Sequence, residues 1–141
     1  MTKKSQAPKQ PRQKPETLRL RDLSPSLTVS DLEASIAWYR DVVGFMVDET
    51  WEHGGKMAGV SLKAGNVYLN LSQDDWAKGR DRVKGEGVRL YLATAQDLDE
   101  IATAIKARGG TLASEPADQP WGARTFNLVD LDGYKLTFSS T

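Results

Sequence analysis

Val29-Ser30-Asp31-Leu32-Glu33-Ala34-Ser35-Ile36-Ala37-Trp38-Tyr39-Arg40-Asp41-Val42-Val43-Gly44-Phe45 carries more structural information than any other stretch of the chain. Just before it, Ser26-Leu27-Thr28-Val29 alternates polar and apolar residues, as a half-buried strand does. Ser30 and Glu33 then stand three apart, the spacing of a capping box, with Ser30 as the N-cap. The pattern predicts a helix from about Asp31 to Val43. Leu32, Ile36, Tyr39 and Val43 share one face at helical spacing, which is the face to bury. Gly44 follows where a left-handed C-terminal cap is wanted.

Outward from the helix come three strand patterns, at Phe45 to Trp51, Lys56 to Lys63 and Val67 to Ser72. The turns His53-Gly54-Gly55 and Ala64-Gly65-Asn66 separate them. This is one βαβββ unit, over residues 22–73. Residues 74–87 are polar and glycine-rich and read as a connector. Over 88–141 the unit recurs: a strand at Val88 to Ala93, a capping box from Thr94 to Asp97, and a helix face of Leu98, Ile101, Ala102 and Ile105. Gly109-Gly110 ends that helix, and Thr111 to Ser114, Arg124 to Val129 and Tyr134 to Ser139 supply three more strands. Asp31-Leu32-Glu33 and Asp97-Leu98-Asp99 match at a spacing of 66 residues, and such repeats set architecture. The expected fold is α+β: two βαβββ repeats forming a curved mixed sheet around a concave cavity, with the helices outside.

Composition narrows the chemistry. The 141 residues include no cysteine and one histidine, which excludes disulfides, thiol nucleophiles, thiolate metal sites and any site needing two imidazoles from one chain. The net charge of zero hides an asymmetry: residues 1–21 carry +6 and the rest −6. Three prolines and the lack of large apolar residues before Leu18, Met1 aside, predict a disordered basic arm over residues 1–21. The arm lacks aromatics for stacking on bases, and the folded part is acidic, so no nucleic-acid partner is expected. No apolar run approaches the roughly 18 residues of a membrane span, and the expected compartment is the cytoplasm.

The stretch from Val29 to Phe45 resembles the opening strand, helix and FYrdvLGF segment of the vicinal oxygen chelate superfamily, which includes glyoxalase I, extradiol dioxygenases and fosfomycin and bleomycin resistance proteins. Asp130-Leu131-Asp132-Gly133-Tyr134 resembles that family's DPDGN/DPDGY turn, with Leu131 in place of the proline. Pro120-Trp121-Gly122-Ala123-Arg124 is similar to the PWG segment of bleomycin-resistance-type proteins, and Asp97-Leu98-Asp99 marks the second-unit entry. The resemblance covers about residues 24–140 and implies the fold more firmly than the reaction.

Metal-dependent members hold a divalent ion on the concave face, with His, Glu or Gln on the first and last strands of each unit. Mapped by register, the corresponding residues are Ser24, Asn70, Leu90 and Thr137. None is an imidazole or a carboxylate, so no metal and no other cofactor is expected. A slip of one residue would bring Pro25, Tyr91 and Leu136 or Phe138 inward, which is no better. His53, in a glycine-rich turn, reads as a surface residue, or as a general base if that turn folds over the cavity.

The aromatic residues suggest a binding cleft. Ser26, Thr28, Trp51, Tyr68, Asn70, Leu92, Trp121, Arg124, Phe126 and Thr137 are the candidate ligand-binding residues, combining flat rings with a few polar anchors. Trp76, in the connector, stands apart from the core in the same way, whereas Tyr91 is expected on the helix side. The same aromatics would also suit a subunit interface, and the resembling resistance proteins form their clefts between the subunits of a dimer. The expected function is a homodimeric, metal-independent protein that sequesters an organic small molecule. The alternatives are a glyoxalase-type lyase or isomerase, using an unrecognised metal site or His53, and a regulatory or structural dimer whose cavity side chains close.

Overall fold

A computed structural model of the chain describes residues 17–141. The predicted arm therefore lies mostly outside the described residues; within them, Thr17–Arg21 are exposed and belong to no helix or strand.

Strand β1 (Ser26–Val29) leads into helix α1 (Leu32–Ala37), which continues as a π-helical segment over Trp38–Val43. Leu32, Ile36, Tyr39 and Val43 are all buried, as their spacing predicts. Gly44 ends the segment at φ 116°, and its N–H donates to the Tyr39 carbonyl at 2.9 Å. The N-cap differs from the predicted one. Asp31, not Ser30, accepts from the Ala34 N–H at 3.1 Å. Ser30 is drawn away because its N–H and hydroxyl both donate to Asp132.

Three strands complete the first sheet: β2 (Met46–His53), β3 (Lys56–Ala64) and β4 (Val67–Gln73). Their order is β1-β4-β3-β2, with β1 parallel to β4 and the other pairs antiparallel. The second unit repeats this plan with β5 (Arg89–Thr94), α2 (Leu98–Ala107), β6 (Ser114–Asp118), β7 (Arg124–Val129) and β8 (Lys135–Ser140), ordered β5-β8-β7-β6. Two four-stranded mixed sheets, each with its helix, make the α+β fold that the repeat predicts.

Two boundaries shift in the second unit. Asp97 caps α2 by accepting from Glu100 N–H at 3.0 Å, while the Thr94 hydroxyl accepts from Gln96 as β5 ends. The two helices are thus capped by the repeated Asp-Leu pair. Strand β6 begins at Ser114, where the sequence pattern had it end. Pro116 sits in it beside an irregularity between Ser114 and Ala117, which an edge strand tolerates.

One core joins the units. Leu27, Val29, Val60, Leu62, Leu69 and Leu71 pack with Leu98, Ala102, Ile105, Phe126, Leu128 and Leu136. Each fully buried leucine contributes on the order of 1.5–3 kcal/mol. Polar ties reinforce the join: Arg108 donates to the carbonyls of Val42 and Val43, and Tyr134 donates its hydroxyl to the Thr28 carbonyl. Among the described residues, no helix is long and apolar enough to cross a membrane.

Candidate functional site

Strand pairing decides which side chains can meet. In the first sheet Leu27, Leu71, Val60 and Leu62 turn toward the helices, so the alternate residues form the opposite, open face. Thr28, Ser72, Gly59 and Trp51 lie in one cross-strand row there, and Ser26, Asn70, Ser61 and Glu49 in the next. Lys63 and Tyr68 follow, with the ammonium 5.8 Å from the ring centre. Of the candidate residues, Ser26, Thr28, Trp51, Tyr68 and Asn70 therefore share one face. Glycine at position 59 is what lets Trp51 lie down: a Cβ there would stand 2.1 Å from the indole ring.

The second sheet corrects part of the predicted face. Leu90 and Leu92 pair with Leu136 and Phe138, and the buried Leu128 and Phe126 continue the same side. Leu90, Leu92, Phe126 and Arg124 therefore belong to the helix side. Phe126 stacks on Phe138 at 4.9 Å, as core packing. Arg124 is paired with Asp99 on α2 and Asp118 on β6, at 2.9 and 3.0 Å. Tyr91, expected on the helix side, is on the open face beside Thr137 and is 62% exposed. The mapping from the helix cap placed β5 one residue out, and a shift of one residue exchanges faces.

Of the second-unit candidates, only Thr137 lies on the open face of the paired strands. Its hydroxyl donates to Asn127 Oδ1 at 2.5 Å and accepts from Arg89 at 2.9 Å. Trp121 stands 64% exposed in the β6–β7 turn. Arg89, Asn127 and Ser61 were not singled out from the sequence, and Tyr91 was assigned to the opposite face. Strand alternation with the correct register would have placed them on this face.

Elsewhere, the candidates have other work or none. Trp76, with φ 63°, takes the Arg80 guanidinium 4.6 Å and the Lys84 ammonium 5.1 Å from its ring. Lys84 is nearly buried between Asp74, at 2.9 Å, and the Ser30 hydroxyl. Its hydrogen bond, followed by that of the Trp76 N–H, holds the Asp74 carboxyl below the ordinary range. Burial pushes the Asp130 carboxyl up, opposed by donors from Tyr39, Tyr134 and Asp132. His53 is exposed at the end of β2, where it pairs with Lys56 in the hairpin. A groove of about 890 Å³ runs between the β3–β4 turn and α2, and Leu92 is the one candidate lining it.

The residues that the sequence maps onto the family's metal positions do not suit a divalent ion, and the open-face neighbours of Leu90 on β5, a guanidinium and a phenol, suit it no better. Ser24 precedes β1 and is exposed, Asn70 offers a neutral amide, and Leu90 faces the helices. Thr137 has a guanidinium against its oxygen, which repels a cation. Glu49 adds one carboxylate to the first face, and among the described residues no three His, Asp or Glu side chains converge. Neutral oxygens with one carboxylate make a poor set for Zn, Ni, Fe or Mn.

The family model for the glyoxalase/bleomycin resistance protein/dioxygenase superfamily matches residues 23–138. The chain belongs to this superfamily. Among solved structures of similar fold, TioX from Micromonospora sp. ML1 has a TM-score of 0.70 at 20% identity, covering 85% of this chain and 98% of its own. A superfamily member from Sphaerobacter thermophilus has a TM-score of 0.69 at 24% identity, covering 84% and 94%. Lactoylglutathione lyase from Agrobacterium tumefaciens has a TM-score of 0.62 at 22% identity, covering 85% and 92%. Comparison with curated proteins finds no match. At these identities the likeness speaks for the fold alone, and a fold does not fix function.

Proposed function

We propose that this superfamily member is a metal-independent binding protein. It holds a flat organic molecule against the open faces of its sheets, as a cytoplasmic homodimer in which a second copy encloses the cleft. The observation that carries this reading is the row containing Trp51, laid over Gly59, beside Tyr68, Asn70, Ser26 and Thr28. An aromatic floor with hydroxyl and amide groups at its margin suits a planar ligand. The donor set argues against a resident metal, and the charge of the folded part argues against nucleic acid. Both TioX and lactoylglutathione lyase share the fold, so the donor chemistry rather than the likeness separates binding from catalysis.

A thermal-shift scan of chelator-stripped protein tests this reading, because a ligand of the native state raises Tm. The scan sets Ni, Zn, Mn, Fe and Mg against a panel of flat aromatic and glycopeptide ligands. The expected result is no shift with any metal, and a shift with aromatic ligands that Trp51→Ala removes. Near-stoichiometric metal with a clear shift would replace this reading by the glyoxalase-type lyase.

A further inference from the structure

The open face of the second sheet carries a guanidinium that is fixed in place but not neutralised. Arg89 donates through one terminal nitrogen to Thr137 Oγ1 at 2.9 Å and to Asn127 Oδ1 at 3.2 Å. Asn127 is itself oriented, since its amide nitrogen donates to the Ser114 hydroxyl at 2.7 Å. All of these acceptors are neutral, and no carboxylate lies within ion-pair distance of Arg89 among the described residues. Arg40, Arg82 and Arg124, by contrast, are each paired with an aspartate.

The neighbouring strand β8 adds a second positive charge. Lys135 is the register partner of Arg89, so two positive side chains stand side by side on one face. Like charges directly opposite destabilise a sheet. An anion between them would reverse that repulsion. The site is also local: the folded part as a whole is negative, so this is a positive spot on an acidic body. Two residues along β5, about 7 Å from Arg89, Tyr91 presents an exposed ring on the same face.

We infer that Arg89, with Lys135 beside it, is the seat for the anionic group of an aromatic acid whose ring lies on Tyr91. This inference rests on the open-face reading and names the ligand class. Thr137 and Asn127 act as positioning residues: they hold the guanidinium in one geometry before the ligand arrives, so less rotamer freedom is lost on binding. The free edge of the guanidinium fork matches a carboxylate or sulfonate with two parallel hydrogen bonds.

The experiment compares 2-naphthoate with 2-naphthamide, which keeps the ring and removes the charge, by calorimetry at low salt. Naphthoate is expected to bind at least about tenfold more tightly, and Arg89→Gln to abolish that preference while naphthamide affinity stays unchanged. Thr137→Val, which keeps the charge and loosens its anchor, is expected to lower naphthoate affinity by a smaller factor. Arg40→Gln, in the π-helical segment and away from the open faces, serves as the control and is expected to leave the preference intact. Equal binding of the two probes would overturn the anion seat and leave the open-face reading standing. A naphthoate preference that survives Arg89→Gln would also overturn it. Binding of neither probe would overturn the seat together with the open-face reading.

Discussion

The Tyr39 hydroxyl donates a 2.7 Å hydrogen bond to Asp130 Oδ2, across 91 residues of chain. It joins the π-helical segment that follows α1 to the Asp130–Tyr134 turn, the two stretches by which the sequence resembles its superfamily. Tyr39 is fully buried and Asp130 nearly so. The other carboxylate oxygen accepts from the N–H groups of Asp132 and Tyr134. Burial, followed by the Asp130 charge and hydrogen bond, pushes the Tyr39 hydroxyl far above its ordinary 10.0, so it remains a donor at any practical pH. The turn is thus assembled on one buried carboxylate, and the first unit supplies a third donor to it.

Tyr39→Phe tests this link. The variant keeps the ring and removes the donor, leaving Asp130 with its two backbone partners. A loss of roughly 1–3 kcal/mol is expected from denaturant unfolding at neutral pH. The hydroxyl stabilises the charged carboxylate, so its removal raises the Asp130 pKa further. The loss should therefore shrink once the pH is low enough to protonate Asp130 in both proteins. A loss independent of pH would mean that ring packing, and not the hydrogen bond, is what the substitution disturbs.

Gly59→Ala tests the seat of Trp51. The backbone of Gly59 is not in the left-handed region, so the conflict is with the indole alone. A tryptophan ring can swing away, and the fold should survive. The expected outcome is a red-shifted Trp51 emission with only a small drop in Tm. In a background with the other three tryptophans replaced by phenylalanine, that emission belongs to Trp51. Trp51→Ala combined with Gly59→Ala should restore the Tm lost in the single glycine variant.

The repeat made much of the fold legible. The helix faces, the Gly44 cap and the strand segments follow from periodicity and glycine placement, because these are local signals. The caps were read too early: Ser30 has a distant competitor in Asp132, and sequence cannot show a bond across 102 residues. The first-sheet side of the candidate site was legible because Leu69 and Leu71 alternate cleanly around Asn70. In β5, Arg89-Leu90-Tyr91-Leu92 offers leucines on one face and a tyrosine on the other, and counting back from the helix cap selected the wrong one. Pairing with β8 fixes the register, and pairing is a long-range fact. The anchored Arg89 was hidden for the same reason, since Thr137 and Asn127 reach it from two other strands.

Acid should weaken the connector. The Asp74 carboxyl is held below its ordinary 3.8 by Lys84, the Trp76 N–H and Arg82. A carboxyl whose folded pKa is depressed stabilises the fold above the unfolded value, and that stability is lost as pH falls through the folded one. Asp74→Asn should therefore lower Tm at pH 7, with a deficit that is constant above about pH 5 and narrows below 3.8. Melting curves of both proteins from pH 7 to pH 2 check this. A deficit that does not narrow would assign the effect to geometry rather than charge.

Arg124 provides the contrast with Arg89. Its guanidinium grips Asp99 through two nitrogens and Asp118 through a third, on the helix side and at the sheet edge. Those carboxylates hold its pKa above the ordinary value and already occupy its fork. Exposed pairs of this kind contribute little to stability. Arg124→Ala should therefore lower Tm by roughly 2–4 °C and leave naphthoate affinity unchanged. Arg89→Gln should do the reverse, weakening naphthoate while Tm holds or rises, because it removes a like-charge neighbour of Lys135. If Arg124→Ala reduced naphthoate affinity and Arg89→Gln did not, ligand recognition would have to be moved from the open face to the helix side of the second sheet.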